Sequence, residues 1–181
     1  MIEFPLHTLD TAPALSRALL TESGAHQAHV PNLVRTMAES PAALQGFEQL
    51  RRAFAHSGLS TLEQQVVYLT AAKANACHYC LTQGGLCDNS TEARAAADAI
   101  RTDRPIEDAK LQALRRFAAA MTTQRGWVSD QAVAEFLAAG YERAHVLDLI
   151  TGVALATLSS YTNHVAATPI DVRGSTHSLD S

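Results

Sequence analysis

The 181-residue chain is poor in cysteine, proline and aromatic side chains, with three Cys, six Pro, one Trp and an aromatic content of 6%. An odd, small number of thiols does not build the bridged framework of a small secreted scaffold, so each cysteine must be read for its chemistry. There is no basic run, and the net charge is −4 with an isoelectric point near 6.0. That balance argues against a nucleic-acid partner. No unbroken apolar run approaches the roughly 18 residues that a bilayer crossing takes. The opening MIEFPLHTLD has neither the basic n-region nor the long apolar h-region of a cleaved leader. The expectation is a cytoplasmic protein with no membrane partner. G-x-S-x-G, phosphate-loop and dinucleotide glycine patterns are all missing, so serine-hydrolase, ATP and NAD chemistry have no support and no cofactor is expected. No segment alternates with period two over strand length, which excludes recognisable strands.

What the chain has is alanine, 33 residues of it, within a hydrophobic content of 47%. That is enough apolar material for a real core, and alanine is the strongest helix former. Capping residues and glycine stops punctuate the sequence at nearly every boundary. They predict an all-α helical bundle of about eight helices, near 13–23, 41–56, 61–74, 77–84, 90–100, 108–124, 129–139 and 142–166. A short helix near Leu33 to Glu39 follows the Val30-Pro31 turn. Ser60-Thr61-Leu62-Glu63 is a capping box. Residues 1–171 read as one helical domain and the polar stretch 172–181 as a flexible tail. The apolar helices at 62–74 and 146–165 are expected to pair at the centre of the bundle.

One constellation carries chemistry: Cys77-His78-Tyr79-Cys80. Residues three apart on a helix share a face, about 5–6 Å apart at Cβ, and a small adjustment brings two thiols within bonding reach. If Asn75 caps a helix beginning at Ala76 or Cys77, the first thiol lies in the first turn. Unpaired backbone N–H groups and the positive end of the helix dipole stabilise a thiolate there. The same spacing also suits two cysteines used as small buried residues. Cys87 follows Gly84-Gly85 and lacks a partner spacing. A metal site would need Cys77 and the adjacent His78 to converge on one ion with Cys80, Cys87 and Asp88, which the spacing disfavours, so no metal is expected. His164, beside Asn163 and Tyr161 on the last long helix, reads as a core or interface histidine and a candidate supporting residue.

The segment EQQVVYLTAAKANACHYC resembles the motif region of the carboxymuconolactone decarboxylase family, in its alkylhydroperoxidase D-like, peroxidase-related branch. VPNLVRTMAESPAAL, GWVSDQAVAEFLAAGY and SSYTNHVAATPID resemble other segments of the same branch, so the likeness runs from residue 5 to 171. It implies a helical bundle assembled as a homo-oligomer. The implied activity is thiol-dependent reduction of a small hydroperoxide, in which Cys80 is attacked, Cys77 forms the disulfide with it, and an external thiol reductant restores the pair. The redox members carry a histidine four residues after the second cysteine and a glutamate twelve before the first. Those positions are Gly84 and Gln65 here, so the proton relay is missing, while His78, Tyr79 and His164 remain as supporting candidates. The alternative on the same fold is a non-catalytic redox-sensing or interaction protein.

Overall fold

Caps written in the sequence fix where most helices begin. The structure is a computed structural model describing residues 3–22, 30–83 and 90–171. Among these residues there are nine helices and no strand: α1 Ala14–Glu22, α2 Asn32–Met37, α3 Pro41–Ala55, α4 Thr61–Ala74, α5 His78–Gln83, α6 Thr91–Arg101, α7 Ala109–Thr123, α8 Asp130–Ala138 and α9 Arg143–Ala166. Side-chain oxygens of Ser40, Ser60, Ser90, Asp108 and Ser129 each accept the backbone N–H three residues on, at 3.3, 3.3, 3.1, 2.8 and 3.2 Å. Glu63 completes the capping box by accepting the Ser60 N–H at 2.8 Å. Gly126 and Gly140, with φ of +84° and +96°, end α7 and α8 in the left-handed region that glycine enters without strain. The expected stops at Gly24 and Gly84-Gly85 lie outside the described residues, as does Cys87.

The centre of the bundle is α4, buried continuously from Gln64 to Ala72. It packs against α9, α7, α6 and α5. The expected pairing of the two apolar helices is therefore present. Phe117, Phe136 and Tyr141 stack in sequence, with ring centroids 4.5 and 4.4 Å apart, and fasten α8 and the start of α9 to α7.

Two features of α9 go beyond the sequence reading. Its 24 residues form the one described helix long and apolar enough, by length and composition, to cross a membrane. Gly, Ala, Ser and Thr interrupt its large side chains without adding charge, so no unbroken run is visible in the sequence. Moreover, the side it buries consists of Leu149, Gly152, Leu155, Ala156, Ser159, Ser160 and Asn163. The bulkier Leu147, Ile150, Tyr161 and Val165 are exposed. Gly152 explains this choice. A Cβ there would sit 2.5 Å from Phe54 Cζ and 2.8 Å from Val67 Cγ1, so α9 touches α3 and α4 through its own backbone. Gly152→Val should therefore lower unfolding stability by about 1–3 kcal/mol through overpacking, despite removing a glycine from a helix. Urea denaturation monitored by circular dichroism checks it.

Candidate active site

The turn between α4 and α5 builds the site. Asn75 ends α4 rather than capping α5: its N–H donates to Ala71 O at 2.9 Å, and its side chain reaches Thr157 Oγ1 on α9 at 3.3 Å. Ala76 follows with φ +55°. The Ala76 N–H donates to Lys73 O and the Cys77 N–H to Ala72 O, both at 2.9 Å. This is a Schellman closure with alanine where glycine is usual. The expectation that Asn75 would cap the thiol helix is thus corrected. Cys77 itself is the cap, and its Sγ accepts the Cys80 N–H at 3.3 Å. The physical basis of that expectation survives in a different form, since the first thiol does sit on the unpaired N–H groups of a helix start.

Cys77 and Cys80 are joined as a disulfide, with Cα atoms 5.4 Å apart. Both are buried, at 0% and 1% exposure. Their surroundings come from α9. Asn163 Nδ2 donates toward Cys80 Sγ at 3.4 Å and lies 3.7 Å from Cys77 Sγ. Ser160 Oγ is 3.9 Å from Cys80 Sγ. Among the described residues these groups and the Cys80 amide are the sulfurs' hydrogen-bonding neighbours.

Tyr79 turns the opposite way from the two thiols flanking it. Its hydroxyl donates to Asp171 Oδ2 at 2.7 Å and accepts the Leu33 N–H at 3.2 Å. Asp171 Oδ1 accepts the Asn32 N–H at 2.7 Å, and Asp171 O accepts from Gln83 Nε2 at 3.3 Å. The first two orphan donors of α2 are therefore satisfied by a tyrosine from α5 and a carboxylate from the chain's far end. Burial, then Asp171, pushes the Tyr79 hydroxyl well above its ordinary value.

The other candidates separate. Gln65 is buried on α4, with Nε2 donating to Ala93 O on α6 at 3.1 Å and Oε1 unpartnered. His78 and His164 are exposed. The inward position on the last turns of α9 belongs to Asn163, one residue before His164. Sequence reasoning passed over Asn163, Ser160 and Asp171. The signal available was polarity, because Ser159, Ser160 and Asn163 are inward-spaced polar residues in an otherwise apolar helix. Gly84 lies outside the described residues. No cluster of metal-ligating side chains occurs among the described residues.

A disulfide seated on a helix start inside an all-α bundle defines a buried thiol–disulfide centre. The fold around it is the alkylhydroperoxidase D-like fold. No protein-family model matches the sequence, and no curated protein matches it. Solved structures do. The alkylhydroperoxidase AhpD core of an uncharacterised peroxidase-related protein from Ralstonia eutropha JMP134 is similar at TM-score 0.78 and 19% identity, over 93% of this chain and 92% of that one. A peroxidase-related protein from Silicibacter sp. TM1040 is similar at TM-score 0.71 and 18% identity, over 98% and 93% of the two chains. An alanine-for-cysteine variant of the debrominase Bmp8, in complex with 2,3,4-tribromopyrrole, is similar at TM-score 0.71 and 17% identity, over 95% and 92%.

Burial pushes the hydroxyls of Tyr68, Tyr79 and Tyr141 above the ordinary tyrosine value of 10.0. Above that pH the unfolded chain releases protons that the folded chain retains, so stability must fall as pH rises. Unfolding stability should be insensitive to tyrosine ionisation below pH 10 and decline above it. Tyr79→Phe should shrink that alkaline slope. At neutral pH it should cost about 1–3 kcal/mol by removing the hydroxyl that donates to Asp171 Oδ2 and stranding the Leu33 N–H. Denaturation curves across pH test both.

Proposed function

We propose that the protein is a thiol-dependent oxidoreductase that reduces small hydroperoxides through Cys77 and Cys80. The observation that carries this reading is the bonded pair itself, with a backbone donor on one sulfur and an amide donor on the other. In the reduced protein, the Cys80 thiolate attacks the terminal, hydrogen-bearing oxygen of the hydroperoxide. An S–O bond forms, the O–O bond breaks, and the leaving alkoxide takes a proton from solvent to depart as an alcohol. The Cys77 thiol loses its proton to solvent, and the thiolate attacks the sulfenic sulfur of Cys80. The S–S bond forms, and hydroxide leaves as water with a proton from solvent. An external dithiol returns two electrons and two protons. The assignment of Cys80 as the attacked thiol follows the family resemblance. The bond from the Cys80 N–H supports Cys77 as the resolving thiol, since it holds that sulfur beside its partner.

Neither Gln65 nor Gly84 can transfer a proton, so turnover is expected to be slow, by on the order of 10²–10⁴ relative to a site with an acid–base group. The test is dithiol-dependent consumption of an organic hydroperoxide. Wild type should turn over, Cys80→Ser should not react, and Cys77→Ser should form one equivalent of sulfenic acid and stop. A second reading, a redox sensor without turnover, is favoured by the near-complete burial of both sulfurs and by the tie from Tyr79 to Asp171. Reversible disulfide formation in wild type with no hydroperoxide turnover would select it over the enzyme.

The protein is further read as a homo-oligomer. Leu147, Thr151, Ala154, Leu158, Tyr161 and Val165 recur at alternating spacings of four and three along the outer side of α9. That is the spacing of a coiled-coil seam, about 27 Å long at 1.5 Å per residue. The row carries no charge, and one helix row pairs with its own copy about a two-fold axis. Sedimentation velocity should show a species larger than 19.4 kDa. Leu147→Glu with Val165→Glu should reduce it to the monomer. A wild type that is monomeric at micromolar concentrations would refute the assembly.

A further inference from the structure

We infer that Asn163 sets the ionisation of Cys80, its side-chain amide taking the place of a titrating relay as the group that stabilises the reacting thiolate. This rests on the reading of Cys80 as the reacting thiol. The geometry is direct: Nδ2 donates toward Cys80 Sγ at 3.4 Å, closer than to Cys77 Sγ at 3.7 Å. The residue is only 6% exposed, and its Oδ1 is buried with no hydrogen-bond partner. Turning the amide over would set a carbonyl against the sulfurs and leave two donors unpaired instead of one acceptor, so the donor-to-sulfur orientation stands. An amide half of whose capacity is unmet is a poor structural choice in an apolar helix. Its satisfied half faces the sulfurs.

Ser160 has the opposite effect. Its hydroxyl hydrogen is committed to Ala156 O at 2.7 Å. Toward Cys80, 3.9 Å away, it presents lone pairs. A lone pair accepts from an S–H and stabilises the thiol, whereas the Asn163 N–H donates to sulfur and stabilises the thiolate.

The ionisable groups around α5 do not compete for this role. On α4, Tyr68 is buried and bonded to Ser159, and burial pushes its hydroxyl up so that it stays neutral. Lys73, also on α4, is engaged by Arg101 O and Asp103. On α5 itself, Tyr79 is turned to Asp171, and His78 is exposed. On α9, His164 is exposed. From α6, Arg101 Nε donates to Leu81 O near the other end of α5. Asp171 itself is occupied by Tyr79, on the side of α5 away from the sulfurs, and by Asn32.

The experiment is a pH titration of ultraviolet thiolate absorbance in the full chain carrying Cys77→Ser and Cys87→Ser, so that Cys80 alone reports. In that background Asn163→Leu should raise the Cys80 midpoint by about one pH unit, the size expected from losing one hydrogen bond to a charged group. Asn163→Asp, which preserves shape and replaces the donor with a carboxylate, should raise it as well and decides the matter if the leucine variant does not fold. Ser160→Ala should leave the midpoint unchanged or lower it. An unmoved or lowered midpoint in the folded Asn163 variants would overturn the inference. So would an equal upward shift in all three variants, which is what general loosening of the site produces. The titration needs no hydroperoxide. If the shifts appear in a protein that does not consume hydroperoxide, the enzyme reading fails and the role of Asn163 holds. If hydroperoxide is consumed and the shifts are absent, the role of Asn163 fails and the enzyme reading holds.

Discussion

Cys77 belongs to two helices at once, and the site depends on that arrangement. Its N–H closes the last turn of α4, and its sulfur caps the first turn of α5. The arrangement requires Ala76 to hold a left-handed conformation, which costs a residue with a Cβ about 1–2 kcal/mol. A glycine there would remove the strain and loosen the turn. The buried centre of α4 thereby fixes the position of the first sulfur, and α5 follows from the sulfur. Tyr79 and Gln83, one turn apart on α5, then reach Asp171 and fix the rotation of the short helix. Without those ties a six-residue helix has little reason to persist, since short helices are marginal on their own propensity.

The starts of the helices were legible because capping is local chemistry. A serine or aspartate oxygen three residues from a free N–H satisfies the same donor in any fold, and Ser40, Ser60, Ser90, Asp108 and Ser129 all do so. The thiol pair was legible for the same reason. The rotation of α9 was not. That helix carries apolar residues on every side, so hydrophobic periodicity offers no inward direction. The deciding fact is a long-range one: Phe54 and Val67 leave no room for a side chain at position 152. The rotation set by Gly152 carries through to Asn163, eleven residues and roughly three turns later, and turns the amide rather than the neighbouring imidazole of His164 toward the sulfurs. The identity of the sulfur neighbours was therefore hidden in a packing contact about three turns away. Asn75 misled for a related reason. Its residue type is at home at either end of a helix, and only the bonds from Ala76 and Cys77 back to α4 show which end it occupies.

α9 serves three masters along one length: a close crossing at Gly152, a polar wall at Ser159, Ser160 and Asn163, and an exposed seam on its back. The crossing and the wall share the buried side of the helix, and the seam lies on the opposite one. Side chains on the seam can therefore change without altering the sulfur surroundings, whereas a residue that shifts the Gly152 crossing moves the wall as well.

The order in which the pieces arrive along the chain has its own consequence. The two cysteines lie before the midpoint of the sequence, but Ser160, Asn163 and Asp171 come from its final stretch. During synthesis the thiols emerge long before Ser160 and Asn163, which line the sulfurs, and before Asp171, which ties down α5. A nascent chain thus carries an open C-x-x-C segment, and its sulfurs gain their polar neighbours only after α9 has left the ribosome and docked.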